Sequence, residues 1–259
     1  MSEPIKFKVE NQIARVTFNR PDQHNAISYE GWLRLIEIVN KIEEESSIRS
    51  VIFSGEGEKA FSAGADIKDF ETHRKDAATA RTYSTAFDGA LDAIEALSVP
   101  TISMIRGICV GGGCELSMAT DIRIASNKSR FGIPVAKLGI LVGYREMKRL
   151  VNLVGPGNAS YILLSGRLID SPDAFRMGLI TPLVDDSMLE DTALNLATEI
   201  TPLAPLSQKR HKIILQNVIS NQSLEGLDPE LPFTNFDSAD FQEGKDAFIS
   251  RRPPNFQGI

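Results

Sequence analysis

The chain has 259 residues, 42% of them hydrophobic and 24% charged, with 19 glycines and 13 prolines. That is enough apolar sequence for one large core with an appendage, and too much for a disordered or fibrous chain. A net charge of −6 argues against a general nucleic-acid binder, while leaving room for a local basic pocket around an anionic ligand. No run approaches the roughly 18 uninterrupted apolar residues that a membrane-spanning helix needs. The opening stretch, MSEPIKFKVE, lacks the basic-then-apolar block of a secretory signal. The two cysteines, Cys109 and Cys114, do not make a disulfide framework, so the expectation is a cytoplasmic protein with no membrane partner.

In chain order, Ile5, Phe7 and Val9, then Ile13, Val16 and Phe18, alternate with polar residues and predict a β-hairpin that ends near Asn19. From Ser28, a plausible N-cap, the period changes. Trp32, Leu35, Ile36, Val39 and Ile42 then mark one face of an amphipathic helix. Val51, Ile52 and Phe53 read as a short strand closed by Gly55 and Gly57. Helical spacing returns over 77–97, Pro100 stops it, and 101–105 reads as a strand. A short helix follows the glycines at 111–113, and 121–125 gives a further strand. Strands separated by helices indicate right-handed βαβ units and an α/β class. Beyond about residue 190 only helical segments remain, over 193–200, 208–219 and 241–252. The expected organisation is an α/β core over 1–190 and a helical region over 191–259.

Two glycine-bearing loops stand out. The first is Ala60-Phe61-Ser62-Ala63-Gly64-Ala65-Asp66-Ile67-Lys68; the second is Gly107-Ile108-Cys109-Val110-Gly111-Gly112-Gly113-Cys114-Glu115-Leu116. Neither has the spacing of a phosphate-binding P-loop, and the second fits the dinucleotide fingerprint poorly. A Gly-x-Ser-x-Gly nucleophile elbow is absent, and no His, Cys or Asp cluster has metal-ligand spacing. His24 and His211 lie in polar contexts and His73 reads as an exposed helix position. Taken singly, either loop is explained by sharp turns and close packing.

Taken together with Phe131-Gly132-Ile133-Pro134, the two loops closely resemble the crotonase (enoyl-CoA hydratase/isomerase) superfamily, and the likeness covers nearly the whole chain. The resemblance implies a crotonase-type spiral of repeated ββα units with a C-terminal α-helical trimerisation region. It implies a homotrimer or homohexamer acting on an acyl-CoA thioester, with CoA carried by the substrate and no bound cofactor. Carried over by position, the backbone N–H groups of Ala65 and Gly112 would hold the thioester oxygen as an enolate forms. Gly112 opens a predicted helix, where unpaired N–H groups favour an anion. Removing one such donor typically costs on the order of 10²–10³ in rate. Glu115 lies three positions further on, on the same side of the helix. In family hydratases a glutamate there activates the water that adds to the β-carbon. As a plain reading, Glu115 is a negative charge in the first turn of a helix.

The sequence also departs from the family. Hydratases carry a second glutamate directly after Phe-Gly-x-Pro, where this chain has Val135. The Gly-rich turn that follows is replaced by Gly143-Tyr144-Arg145-Glu146-Met147-Lys148. Tyr144 or Glu146 could supply a substitute acid, and Tyr144 also reads as plain wall of the acyl pocket. Asp66 reads as the N-cap of a short helix. The likeness places Asn25, Ala26, Ala63, Asp66, Ile67 and Lys68 along the CoA and acyl path, with Val135, Gly143 and Tyr144 at the acyl end. Phe248 and Arg251 would reach it from a neighbouring subunit. The implied reaction is hydration of a 2-enoyl-CoA. An isomerase, decarboxylase or C–C lyase using Glu115 alone, or a non-catalytic CoA-binding subunit, stay open as alternatives.

Overall fold

The computed structural model describes residues 3–220 and 223–259; Met1 and Ser2, the start of the N-terminal stretch read above, lie outside these ranges. Strands β1 (Ile5–Glu10) and β2 (Ile13–Phe18) pair antiparallel from Ile5↔Phe18 to Glu10↔Ile13, turning at Asn11 and Gln12. Helix α1 (Tyr29–Glu44) starts where expected, with Ser28 Oγ accepting from Gly31 N at 3.2 Å. Then follow β3 (Ser50–Gly55), β4 (Ala60–Ser62), the single-turn α2 (Phe70–His73) and α3 (Ala77–Ala96). Asp76 and Thr79 close a reciprocal capping box at the start of α3. Next come β5 (Thr101–Ile105), β6 (Ile108–Val110), α4 (Gly112–Met118), β7 (Ile122–Ser126) and β8 (Arg130–Gly132).

The remainder of the chain is mostly helical. Helix α5 (Tyr144–Ser165) breaks at Gly155, where φ is 73°, and restarts at Pro156, whose missing N–H costs nothing in a first turn. It is followed by β9 (Ile169–Asp170), α6 (Ser171–Arg176), β10 (Leu183–Val184), α7 (Leu189–Ile200), α8 (Pro205–Ser220) and α9 (Ala239–Ser250).

Two sheets result. The larger has the order β1-β2-β3-β5-β7-β10 and is parallel from β2 onward; the smaller has the order β4-β6-β8-β9. Three times the chain lays a strand in the large sheet and the next in the small one (β3 then β4, β5 then β6, β7 then β8) before turning into helix. The βαβ expectation captured the large sheet and missed the small one. Its strands are two or three residues long, too short to show any period, and two of them, β4 and β6, sit inside the glycine loops.

The large sheet is covered on both faces, which is why β3 reads as an unbroken apolar run. Val51 and Phe53 point into the main core with Trp32, Leu35 and Leu91, whereas Ile52 joins Ile102, Ile124 and the α7 residues Leu189, Ala193 and Ala197. Helix α7 therefore packs on the core sheet, and residue 190 falls within it. Helix α8, by contrast, buries no residue in this chain.

Helix α4 is buried along its whole length. Gly113 lets it lie against β4, because a Cβ there would stand 2.4 Å from the Ser62 carbonyl oxygen. Arg123 holds its other end, donating to Thr120 O at 2.6 Å and to Leu179 O at 2.9 Å, and burial lowers the Arg123 pKa to about 10. Gly113→Ala is expected to destabilise the protein by about 1–3 kcal/mol in denaturant unfolding. Gly157→Ala, at an exposed helical site with nothing within 4 Å, should be neutral or stabilising by up to about 1 kcal/mol.

Candidate active site

The loop after β4 is tied down residue by residue. Ala63 N donates to His24 O at 2.8 Å, Gly64 N to Ser62 Oγ at 3.1 Å and Asp66 N to Ile27 O at 2.9 Å. Ile27 N returns a bond to Gly64 O at 2.8 Å. Among the described residues, Ala65 N is the one amide of 63–66 with no protein acceptor. Gly112 N, the first donor of α4, also has none, as the geometry of a helix start requires.

The two amides converge. A Cβ placed on Gly112 would lie 3.4 Å from Ala65 N, and one placed on Gly64 would lie 2.6 Å from Gly112 N. Gly64 also has φ of 90°, a conformation that disfavours any side chain. Only a backbone without side chains brings the loops this close. Two unpaired N–H groups facing one small space form a site for an oxygen that carries negative charge.

That space is the inner wall of a cavity of about 590 Å³. Ala65, Gly112, Glu115, Val135, Asp88 and Glu146 are among the residues that line it. Glu115 is buried, and among the described residues none donates a hydrogen bond to its carboxyl group. Burial pushes its pKa up to about 8, with the nearby Glu146 charge adding to the shift and Arg74 opposing it. Glu146 is only 3% exposed, and its Oε1 lies 3.6 Å from Arg149 Nη1 with no hydrogen bond to any partner. Burial raises the Glu146 pKa too, and Asp88 adds to it. Arg149 is already shared with Asp92 (2.6 Å) and Glu95 (2.7 Å), which leaves Glu146 poorly compensated. Two buried carboxyl groups, both with raised pKa values, beside an anion-accepting amide pair are placed to give and take protons.

Of the residues named from sequence, Ala63, Ala65, Ile67, Gly112, Glu115, Val135 and Gly143 line the cavity. Others serve the frame. Asn25 is buried, and its side chain bonds Arg20 N, Glu56 O and Ala60 O. Ala26 O accepts from Arg20 Nη1 at 2.8 Å. Asp66 caps the following turn through Lys68 N at 3.1 Å, as expected, and also pairs with Arg20 at 2.7 Å. Lys68 is exposed near the mouth, and Phe248 and Arg251 lie exposed on and just after α9, outside the cavity of this chain.

Two expectations need correction. Tyr144 is not cavity wall: it is 97% exposed on the first turn of α5, while Glu146, two residues on, turns inward. His73 is not an exposed helix position: it is half-buried and stacked on Tyr29, with ring centres 4.3 Å apart. Asp88 and Arg74 were not singled out. Asp88 sits mid-helix among small and polar residues, and only the fold brings it opposite Glu146.

A model of the enoyl-CoA hydratase/isomerase family matches residues 8–258. The chain is 33% identical over 250 residues to a short-chain-enoyl-CoA hydratase of Clostridium acetobutylicum, covering 94% of this chain and 93% of that one. It is 31% identical to a crotonyl-CoA hydratase of Syntrophomonas wolfei, covering 98% of each. The crystal structure of an enoyl-CoA hydratase/carnithine racemase from Magnetospirillum magneticum superposes with a TM-score of 0.96 at 34% identity, over 100% of this chain and 97% of that one. Fold, loop motifs and near full-length similarity agree: the chain belongs to the enoyl-CoA hydratase/isomerase family and has the crotonase fold.

Proposed function

We propose that the protein hydrates a 2-enoyl-CoA to the 3-hydroxyacyl ester, a lyase reaction, and that the unpaired amides of Ala65 and Gly112 carry the step. The thioester oxygen sits between them. As a water oxygen bonds to C3, the electrons of the C2–C3 double bond move toward that oxygen, and the amides meet the charge where it develops. Glu115, when ionised, takes the proton that the water gives up. C2 then receives a proton, which Glu146 on the cavity wall supplies where the family's second glutamate is replaced by Val135. After product leaves, Glu115 loses its proton to solvent and Glu146 regains one, which restores both groups. CoA arrives as part of the substrate, and the chemistry asks for no further cofactor.

The exposed apolar residues Leu215, Val218, Phe248 and Ile249 on α8 and α9 support assembly into a trimer or hexamer. In such an assembly Phe248 and Arg251 would reach a neighbour's CoA. The buried free thiols of Cys109 and Cys114 support a reducing, cytoplasmic setting, and among the described residues no helix is long and apolar enough to cross a membrane.

Mixing crotonyl-CoA with the protein should bleach the ultraviolet absorbance of the conjugated thioester, and Glu115→Gln should slow this by about 10²–10⁴. Unchanged absorbance with crotonyl-CoA and with longer and branched enoyl esters would remove the hydratase reading. Because Glu115 must be ionised to act as a base, kcat/KM should rise with pH through about 8. Glu146→Gln removes the proposed proton donor and should slow turnover, and because its charge no longer opposes ionisation of Glu115 the remaining rise should move to lower pH. The same shift has a stability sign. The folded-state pKa of about 8 lies above the usual 4.5, so the folded protein holds the proton more tightly, and stability falls as pH climbs between those values. Glu115→Gln, which does not ionise, should therefore melt higher than the parent protein at pH 8, with the difference shrinking toward pH 4.5.

A further inference from the structure

The cavity wall carries a cation that the proposed hydration does not use. Arg74 follows α2 and lies half-buried, its guanidinium carbon 4.8 Å from the centre of the Phe70 ring and 4.9 Å from that of Tyr83. Tyr83 is itself fixed, buried and accepting from Trp32 Nε1 at 2.7 Å. Among the described residues the Arg74 guanidinium makes no ion pair and donates no hydrogen bond. Arg149, on the same side of the molecule, contrasts with it, sitting among Asp92, Glu95 and Glu146. The cavity that Arg74 lines is largely apolar, with Ile67, Phe70, Ala77, Val135 and Val142 on its wall, and it also holds the carboxyl groups of Asp88, Glu115 and Glu146. Two rings thus hold a planar fork of donors that no acceptor among the described residues reaches.

Such a group is costly when nothing meets its hydrogens and favourable when a carboxylate does, because a guanidinium and a carboxylate bond through two parallel contacts. Its position is at the reacting end. Arg74 lines the same cavity as Glu115, and its charge is the main influence opposing the upward shift of the Glu115 pKa.

We propose that Arg74 receives a second carboxylate on the acyl group, so that the substrate is the CoA thioester of a short unsaturated dicarboxylic acid. This inference rests on the acyl-CoA reading above and adds the class of acyl chain. The reaction is otherwise unchanged: the distal carboxylate stays intact, fixes the far end of the chain, and sets C2 and C3 against the carboxyl groups. Arg81, also on the cavity wall and exposed, offers a second positive charge at the entrance.

The test is direct binding followed by turnover. Calorimetric titration of the protein with glutaryl-CoA, butyryl-CoA and CoA itself should show glutaryl-CoA bound about ten- to hundredfold more tightly than butyryl-CoA. Arg74→Met, which keeps an apolar stem against the rings, and Arg74→Gln should both erase that difference. Equal binding of the two esters by the unmodified protein overturns the proposal and needs no variant to be folded. So does an equal loss for all three ligands in the variants, since that places Arg74 on the CoA phosphates. In turnover, the ratio of kcat/KM for glutaconyl-CoA over crotonyl-CoA should fall at least tenfold in Arg74→Met. A role confined to tuning Glu115 would slow both esters together and leave the ratio fixed, which also overturns the proposal. Preference for glutaryl-CoA without hydration of either enoyl ester would retire the hydratase reading and leave the Arg74 assignment standing.

Discussion

The molecule is organised around a close approach of two stretches of backbone. Gly64 and Gly112 meet at a separation that a single methyl group would spoil, and the amide hydrogens of Ala65 and Gly112 beside them have no partner among the described residues. An unmet buried donor ordinarily counts against a fold. Here the surrounding bonds are complete: the loop after β4 is stitched to 24–27, and α4 is buried along its length. The frame is rigid so that two donors can wait for charge that exists only while a substrate reacts.

The electrostatics follow from where this pair sits. Because α4 is inside the protein, Glu115 is inside too, and a carboxyl group with no protein hydrogen bond is held nearer to neutrality than any surface glutamate. Glu146 reaches the same cavity from α5, and its charge makes Glu115 harder to ionise. The arginines nearby divide the work. Arg149 is absorbed by three carboxylates, whereas Arg74 lies on two aromatic rings and keeps its donors open.

Much of the fold was legible in the residues, for identifiable reasons. The hairpin at 5–18 and the helix from Ser28 carry clean periods of two and of three-to-four, and the structure starts α1 at that cap. The loops that build the amide pair were legible only through their joint resemblance to a known family; taken singly, their glycines read as turns and close packing. What escaped reading depends on contacts far apart in sequence. The strands of the small sheet are too short to show a pattern. Tyr144 looked like a pocket residue and points to solvent, because α5 begins at Gly143 and its first turn presents Glu146 inward instead. Arg74 carries no local signal at all; its meaning comes from Phe70 and from Tyr83, which α3 brings across.

Arg123 has a role in assembly that its distance from the reacting groups conceals. One buried guanidinium gathers carbonyls from the tail of α4 and from Leu179, just ahead of the last strand of the large sheet. A chain that ends before Leu179 lacks one of the carbonyls that meet this cation, a hydrogen bond to a charged group worth about 1.5–3 kcal/mol. The helix that carries Gly112 and Glu115 is thus held at its far end by sequence well downstream of the residues that line the chamber.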